Sequence, residues 1–463
     1  MRRWGMWVVT ALAAVQVVVG LVWWLANLTA VPAYGDTPEY FRLADDLRVD
    51  GYRTLAYPLL VRVASVVSEP LGVPLQVPIY LLQTAAVTGA SWYLIHTVAP
   101  AARRGVVAFM TAVVVTSPLA LHYATSVLSD SLAASGFVVA LTGLARVVID
   151  GDVARRTLAI TVGAALSTAL LRTEKATVLL VLAIVAGIAC LVVRRRQAGV
   201  GRRWLPVAAV LVLALPALLG SAVNRATQTT DYGRPEAGAA PAAVSRIVWP
   251  HLSEVRGDLP ADVRAQISAE EAAAFDEHNN NALPMTQRML EMDDGGSGVV
   301  RAALAATLRC CAVEVAATAG ADAIEYAFAP VTFAVEGTAR AVTGDDSDTP
   351  TAWNITRMSA HRPDLSRAFL AVGFVLLPVL VTAAVTRRRG HREPARSGGR
   401  RQTLVLATVW LGTVVNGCFF AAAQGADANV RYGLSSAVVL TAALAVLALT
   451  DRPAAARPPA LDG

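Results

Sequence analysis

Charge is what this sequence has least of. Asp, Glu, Lys and Arg make up 16% of its 463 residues, against about 25% in soluble domains. With 55% of residues hydrophobic and a mean hydropathy of +0.51, the deficit excludes a soluble globular chain and indicates an integral membrane protein. Lysine is almost missing: Lys175 is the single one, and every other basic side chain of this type is arginine. That bias, with so much Ala and Val, points to a GC-rich bacterial genome. The formal charge of +6 is spread over short clusters between apolar runs, so nucleic acid is not an expected partner. Cys190, Cys310, Cys311 and Cys418 show no zinc-type spacing, and the adjacent pair reads as helix packing rather than a disulfide. The six histidines include no HExxH-like pair, so a His or Cys metal site is not expected. "DDGGSG" neither follows a strand nor resembles a phosphate loop, and no soluble nucleotide-binding domain is found.

What is abundant is long apolar runs. A bilayer core of about 30 Å needs roughly 20 mainly apolar residues per helix. Ten segments qualify, approximately 7–29, 75–98, 106–121, 131–149, 157–171, 176–193, 204–222, 367–386, 403–423 and 433–450. The first is longer than the ~7–15 residues of a signal-peptide core and reads as an uncleaved anchor. The expected fold is therefore an all-α polytopic membrane protein of about ten transmembrane helices. Basic clusters fall on alternate loops: Arg103-Arg104, Arg155-Arg156, the cluster from Arg194 to Arg203, and "TRRRGHREPARSGGRR". By the positive-inside rule they mark one cytoplasmic side, with both termini on it. The other side receives 30–74, 122–130, 172–175, about 223–366, and 424–432. Loop 30–74 carries four arginines against the rule, although its acidic residues outnumber them. The chain divides into an N-terminal transmembrane module, 1–222, an extracytoplasmic region, 223–366, and a C-terminal module, 367–463. Within 223–366, "LPADVRAQISAEEAAAF" and "VVRAALAATLRCCAVEVAATAGADAIEYAF" read as amphipathic helices, because charges interrupt each apolar face. A surface position is preferred for the second on Arg309, Glu314, Asp322 and Glu325, the alternative being a hairpin of two extra spans.

The first outer loop, "AVPAYGDTPEYFRLADDLRVDGYRTLAYPLLVR", concentrates Tyr34, Asp36, Glu39, Tyr40, Asp45 and Asp46 just past the first span. Apolar residues at 40, 43, 44 and 47 give the helical i, i+3, i+4, i+7 pattern, and "LAYPLLVRVASVV" supplies a second short amphipathic helix. Asp36 at the entrance, with Pro38 and Glu39 after it, fits a capping-box variant. A cap carboxylate has a fixed direction and still presents an oxygen to a substrate. Other outer loops add His122, Tyr123 and Asp130 in "HYATSVLSDSL", Arg172, Glu174 and Lys175 in "LRTEKA", and Asp427, Arg431 and Tyr432 in "ADANVRYGL". Singly, each has an ordinary explanation: snorkelling, an aromatic belt, or a helix cap. Together they place acids and bases from four loops on one face.

"YGDTPEYFRLADDL…GYRTLAYPLLVR", then "SDSL", "LLRTEK" and "RYGL", resembles the C-type (GT-C) superfamily of multipass membrane glycosyltransferases. That superfamily includes bacterial aminoarabinose transferases, protein O-mannosyltransferases and actinobacterial arabinosyltransferases. The resemblance covers residues 1 to about 190 and the last two spans. It implies an acidic residue of the first outer loop near the catalytic centre and basic residues holding a polyprenyl-phosphate donor. The sequence departs from the pattern in having GDTPE where many members have a paired Asp-Glu, and in carrying no large soluble C-terminal domain. The expected partners are a polyprenyl-phosphate-linked sugar, an envelope glycan, lipid or protein acceptor, and the membrane.

The residues suit that chemistry. A glycosidase needs a second carboxyl to protonate its leaving group, whereas a departing phosphate needs none, so one carboxylate to activate an acceptor hydroxyl suffices. Asp36 is the first choice. Arg172, Lys175 and Arg431 are the candidates to hold the phosphate. Asp130 and Glu39 are candidates to position the acceptor, a divalent cation or Arg172, and His122, Tyr123 and Tyr432 to position the acceptor. No cofactor is assigned. Two other readings stand beside this one, a lipid or glycan flippase and a non-catalytic envelope-assembly protein. Transporters place ionisable groups near the midplane, and here the middles of the spans are almost free of charge.

The alternating arginine loops predict that cysteines placed in 36–50 and 255–295 of a functional cysteine-free variant react with an impermeant reagent applied from outside. Cysteines placed in 388–400 stay unlabelled. Outside labelling of 388–400 would overturn the orientation.

Overall fold

Every one of the ten apolar segments is helical in the computed structural model. It describes residues 2–31, 36–47, 53–195, 205–227, 247–277, 292, 297–333, 335, 362–389, 397–424 and 433–449. The first half runs α1 Arg2–Asn27, α2 Asp36–Asp46, α3 Ala56–Leu71, α4 Gln76–Val98, α5 Arg104–Val115, α6 Pro118–Ala124, α7 Asp130–Ala145, α8 Arg155–Leu171, α9 Thr173–Arg195 and α10 Leu205–Thr227. Four further helices are α11 Leu252–Val255, α12 Ala261–Arg264, α13 Ala269–Glu277 and α14 Ser297–Cys310. The chain continues with α15 Ala312–Ala327, α16 Pro363–Arg389, α17 Ser397–Gln424 and α18 Leu434–Leu449. No strand occurs among the described residues. The chain is an all-α polytopic membrane protein.

Among the described residues six helices are long and apolar enough to span a membrane: Gly5–Asn27, Asp130–Asp150, Thr173–Val192, Leu205–Thr227, Pro363–Thr386 and Gly399–Phe419. The bent pair α5–α6 makes a seventh if it counts as one span, and α18 is a shorter apolar helix. The other two expected spans are helices as well. α8 is short, at 17 residues, and α4 mixes Gln76, Gln83, Thr84, Ser91 and His96 into its apolar sequence.

The expected span 106–121 is broken, with its halves meeting at 73°. Proline has no N–H and drives the residue before it out of helical geometry, and Ser117, just before Pro118, is extended at φ −66°, ψ 142°. The freed carbonyls at the break are capped by side chains. Gln16 Nε2 of α1 donates to Val113 O and Thr116 O, each at 3.3 Å. Thr116 Oγ1 donates to Ala112 O, and Ser117 Oγ to Val114 O.

Small residues set how closely the helices pack. A side chain added at Gly143 of α7 would run into Thr161 of α8, and one at Gly136 would meet Thr168 and Ser167. Gly220 of α10 lies against Ala169 in the same way. This is the close approach that small residues permit in membrane helices. One continuous core results, with residues from Trp23 of α1 to Val446 of α18, so the N- and C-terminal modules share it. At one end of the bundle Arg401 of α17 forms a two-pronged pair with Asp150 and donates to Thr97 O of α4. Beside it Arg146 pairs with Asp152. Burial alone would raise the Asp152 carboxyl. Hydrogen bonds from Thr157 and the Ala154 N–H, with the Arg146 charge, outweigh burial and hold it below the usual range.

Residues 248–306 carry a second, smaller core of Trp249, Leu252, Val255, Leu259, Val263, Ile267, Met292, Val299 and Val300. Two expectations for this region change. Cys310 and Cys311 are joined in a disulfide between adjacent residues rather than packing as free thiols, because the chain breaks from helical geometry at Cys311 (φ −126°, ψ 19°) and brings the two sulfurs together. The last turn of the helix after them packs into the bundle, while most of α15 before it stays exposed. Tyr326 of α15 is fully buried and packs where Gly417 of α17 leaves room, and Trp410 Nε1 donates to Ala327 O.

If the α7–α8 approach depends on Gly143, then Gly143→Val overpacks it and lowers stability by about 1–3 kcal/mol. Gly163→Ala on α8, where no atom lies within 4 Å of an added Cβ, leaves the melting temperature unchanged or raises it. Thermal unfolding of the purified variants in detergent tests the pair. Equal melting temperatures for both would refute the packing argument.

Candidate functional site

Four backbone junctions converge at the end of the bundle opposite Arg401. They are the start of α2, the residues before α3, the start of α7 and the turn between α8 and α9. The convergence is built by side chains that bond across them. Thr37 Oγ1 of α2 donates to Val127 O at 3.3 Å, and Tyr40 shares a 3.0 Å hydrogen bond with Ser129 Oγ. Thr54 Oγ1 donates to Leu171 O at 3.1 Å. α2 seats itself through Thr37, Tyr40, Leu43 and Ala44, which are buried, while Leu47 ends it at φ 50° and stays exposed. Of the apolar stripe expected at 40, 43, 44 and 47, the first three residues form the seated face and Leu47 does not.

Two carboxylate–guanidinium pairs occupy this junction. Arg53 Nη2 donates to Asp36 Oδ1 at 2.6 Å. Arg172 Nη2 donates to Asp130 Oδ1 at 2.6 Å, and its Nη1 to Glu174 Oε1 at 3.2 Å. The Asp130–Arg172 pair is the more enclosed, with 5% and 11% of its side chains exposed, against 22% and 20% for Asp36 and Arg53. The two pairs feel each other. Burial alone would lower the Arg53 guanidinium; the Asp36 carboxylate outweighs it and the net displacement is upward, while the like charge of Arg172 pulls the other way.

Aromatic and amide groups frame the pairs. Arg53 lies 5.2 Å over the Tyr40 ring, and Tyr40 meets Tyr57 edge-on at 4.6 Å. Tyr57 is wholly buried and donates to Gln83 Oε1 at 3.3 Å. Burial, foremost, raises its phenol well above the ordinary value; Tyr40, Tyr80 and Asp130 add to the shift and Arg172 opposes it. Gln83 Nε2 in turn donates to Ala124 O at 3.2 Å and Ser126 O at 2.7 Å, fixing the strand of chain between α6 and α7.

The candidates named from sequence are placed as follows. Asp36, Asp130 and Arg172 come together. Glu39 pairs with Arg42, one turn along the exposed side of α2. Lys175 lies inside the bundle, where its ammonium donates to Asn416 Oδ1 at 2.6 Å and sits 5.1 Å from the Phe137 ring. His122 and Tyr123 are both fully buried in α6, their rings 5.1 Å apart. The bend at Pro118 turns that helix into the core, whereas an unbroken span would have carried both to the rim. Tyr34, Asp427, Arg431 and Tyr432 lie outside the described residues. Sequence reasoning passed over Arg53, Tyr57, Gln83 and Asn416. The clue to Arg53 was present, since arginines running against the charge rule in an acid-rich loop have partners there.

No protein-family model and no curated protein matches the chain. Among solved structures, the chain is similar to the crystal structure of ArnT from Cupriavidus metallidurans bound to undecaprenyl phosphate. The likeness extends over 90% of this chain and 78% of that one, at 14% identity and a TM-score of 0.36. Nothing of that protein's ligand or activity is carried to this chain by so remote a likeness.

Proposed function

We propose that the chain is a membrane glycosyltransferase that moves a sugar from a polyprenyl-phosphate donor to a cell-envelope acceptor on the extracytoplasmic side of a bacterial membrane, with both termini in the cytoplasm. The observation that carries the proposal is the meeting of the Asp36–Arg53 and Asp130–Arg172 pairs at one end of the bundle. The resemblance of the motifs around these residues to C-type glycosyltransferases supports it.

In this reading an acceptor hydroxyl oxygen bonds to the anomeric carbon while the bond from that carbon to the phosphate oxygen breaks. The acceptor proton passes to Asp36, and the electron pair leaves on polyprenyl phosphate. Arg172 and Arg53 hold that anion, with Arg431 of the last outer loop as a further contact. The phosphate competes with Asp36 for Arg53, so donor binding frees the carboxylate to act as a base. Asp130 holds Arg172 in place. Lys175 adds positive charge from beneath, and His122 and Tyr123 support the α6–α7 link behind the acceptor. Glu39, on the exposed side, remains a positioning candidate for the acceptor or a divalent cation.

The broken span α5–α6 is the feature that favours the flippase reading, because discontinuous helices form the binding sites of many transporters. A reconstituted assay separates the two. It offers lipid-linked and nucleotide-linked forms of one sugar and follows both glycosidic bond formation and lipid movement. Transfer from the lipid-linked form alone is expected. Lipid movement without bond formation would establish the flippase, and transfer from the nucleotide form alone would sink the donor assignment.

Asp36→Asn keeps the size and most of the capping ability but loses the basic oxygen. It is expected to fold normally and lose about 10²–10⁴-fold in transfer rate. Near-normal turnover would reassign the base to Asp130 or Glu39. Arg53→Ala removes a charge-assisted contact worth about 1.5–3 kcal/mol, and Arg172→Lys keeps a positive charge beside Asp130 while losing the two-pronged guanidinium contact. They are expected to weaken use of the donor about 10–100-fold with little change in acceptor dependence. A change confined to acceptor dependence would refute the phosphate role.

A further inference from the structure

The second core brings together three side chains that no sequence motif connects: His251, Glu254 and Cys311. Their donor atoms all lie within 4.8 Å of one another. His251 Nδ1 is 3.6 Å from Glu254 Oε2, and Cys311 Sγ is 3.5 Å from the same oxygen. Ligand atoms held tetrahedrally at about 2.0–2.3 Å from zinc stand roughly 3.3–3.7 Å apart. The two separations match the edges of such a tetrahedron before any metal arrives.

The backbone on both sides is held. Trp249 and Leu252, either side of His251, are buried in the second core, which leaves the imidazole buried while Glu254, one turn on, reaches solvent. Cys311 closes α14, its N–H bonded to Thr307 O at 2.9 Å. A mixed nitrogen, carboxylate and thiolate set suits zinc better than the oxygen-seeking magnesium or calcium. The exposed side leaves a fourth position for water.

We propose that His251, Glu254 and Cys311 form a zinc site that the Cys310–Cys311 disulfide closes. In the disulfide Cys311 has no thiolate to offer. Reduction by a dithiol transfers two electrons and two protons to the two cysteine sulfurs and leaves the reductant as its own disulfide. Zinc then displaces the Cys311 proton to solvent and joins the turn at 249–254 to the end of α14. The Cys310 sulfur lies 3.5 Å from Thr307 O, which accepts its hydrogen once the disulfide is reduced and keeps it out of the site.

The test uses the full chain in detergent carrying Cys190→Ser and Cys418→Ser, with cobalt(II) as the optical stand-in for zinc. The parent with its disulfide intact is expected to take up no cobalt at this site. Cys310→Ser, which leaves Cys311 a free thiol, is expected to bind one cobalt per chain without reductant and to show a thiolate-to-cobalt charge-transfer band. Adding His251→Ala to Cys310→Ser is expected to weaken binding by at least about 10–100-fold, and His251→Gln to do the same while keeping the side chain's bulk. Gel filtration and circular dichroism matching the parent show that each variant is folded. A folded Cys310→Ser without the band would overturn the site. So would cobalt affinity indifferent to both His251 substitutions, or equal binding by the oxidised parent.

Discussion

The ion pair between Asp130 and Arg172 is the constraint around which one end of this protein is arranged. Both side chains are nearly sealed from solvent, where an unpaired charge is very costly and a paired one depends on good geometry. Removing one partner of such a pair costs about 3–5 kcal/mol, chiefly by abandoning the other. The pair therefore fixes the start of α7 against the α8–α9 turn, 42 residues apart in sequence. The surface helices are then seated on the two chain segments it fixes. Tyr40 reaches Ser129, next to Asp130, and Thr54 reaches Leu171, next to Arg172. The Asp36–Arg53 pair owes its position to those contacts, so the more exposed pair depends on the more buried one.

The same rule governs the opposite end with a different result. Arg401, Asp150, Arg146 and Asp152 satisfy one another and two backbone groups, and they tie α17 to the ends of α4 and α7. Between the two charged levels the described apolar spans carry little charge, Lys175 lying inside the bundle against Asn416. At the Arg401 end the arginine is gripped by both oxygens of its carboxylate. At the Asp130 end Arg53 Nη2 meets Oδ1 of Asp36 at 2.6 Å, and the side chains of this pair are no more exposed than those of Arg401 and Asp150.

The helices were legible in the sequence because bilayer thickness imposes a length that apolar runs report directly. The stripe at 40, 43 and 44 foretold the seating of α2 for a similar reason, since one face of a helix must find cover. Less local facts were hidden. Pro118 was in plain view, but whether a proline kinks a span or breaks it depends on who caps the freed carbonyls, and Gln16 lies about a hundred residues away. That break sent His122 and Tyr123 inward. Lys175 read as an interface cation because its partner, Asn416, is 241 positions distant. Arg53 was overlooked because pairing across a loop has no period. The adjacent cysteines read as packing because nothing local tells a helix interior from the break that actually occurs at Cys311.

A broken helix within an expected span raises the question of whether something binds there. In transporters the interrupted backbone is left partly exposed, and its unwound carbonyls and helix ends coordinate the cargo. Non-helical backbone within the bilayer is tolerated only when protein or water satisfies it. Here protein satisfies it. The carbonyls of Ala112, Val113, Val114 and Thr116 each accept from a side chain, and the three donor residues, Gln16 (serving twice), Thr116 and Ser117, are all buried. Gly20 and Gly373 bring α1 and α16 against Thr116 and Pro118 so closely that an added methyl group would collide. The carbonyls at the break are thus satisfied within the protein, while Gln16, Ser117, Pro118 and Gly373 also line an open apolar pocket beside it. The consequence of the break lies further along the chain: α6 turns into the core, Gln83 catches the carbonyls of Ala124 and Ser126, and α7 begins with Asp130 facing Arg172. The interruption in the span is the means by which the charged end of the bundle is assembled.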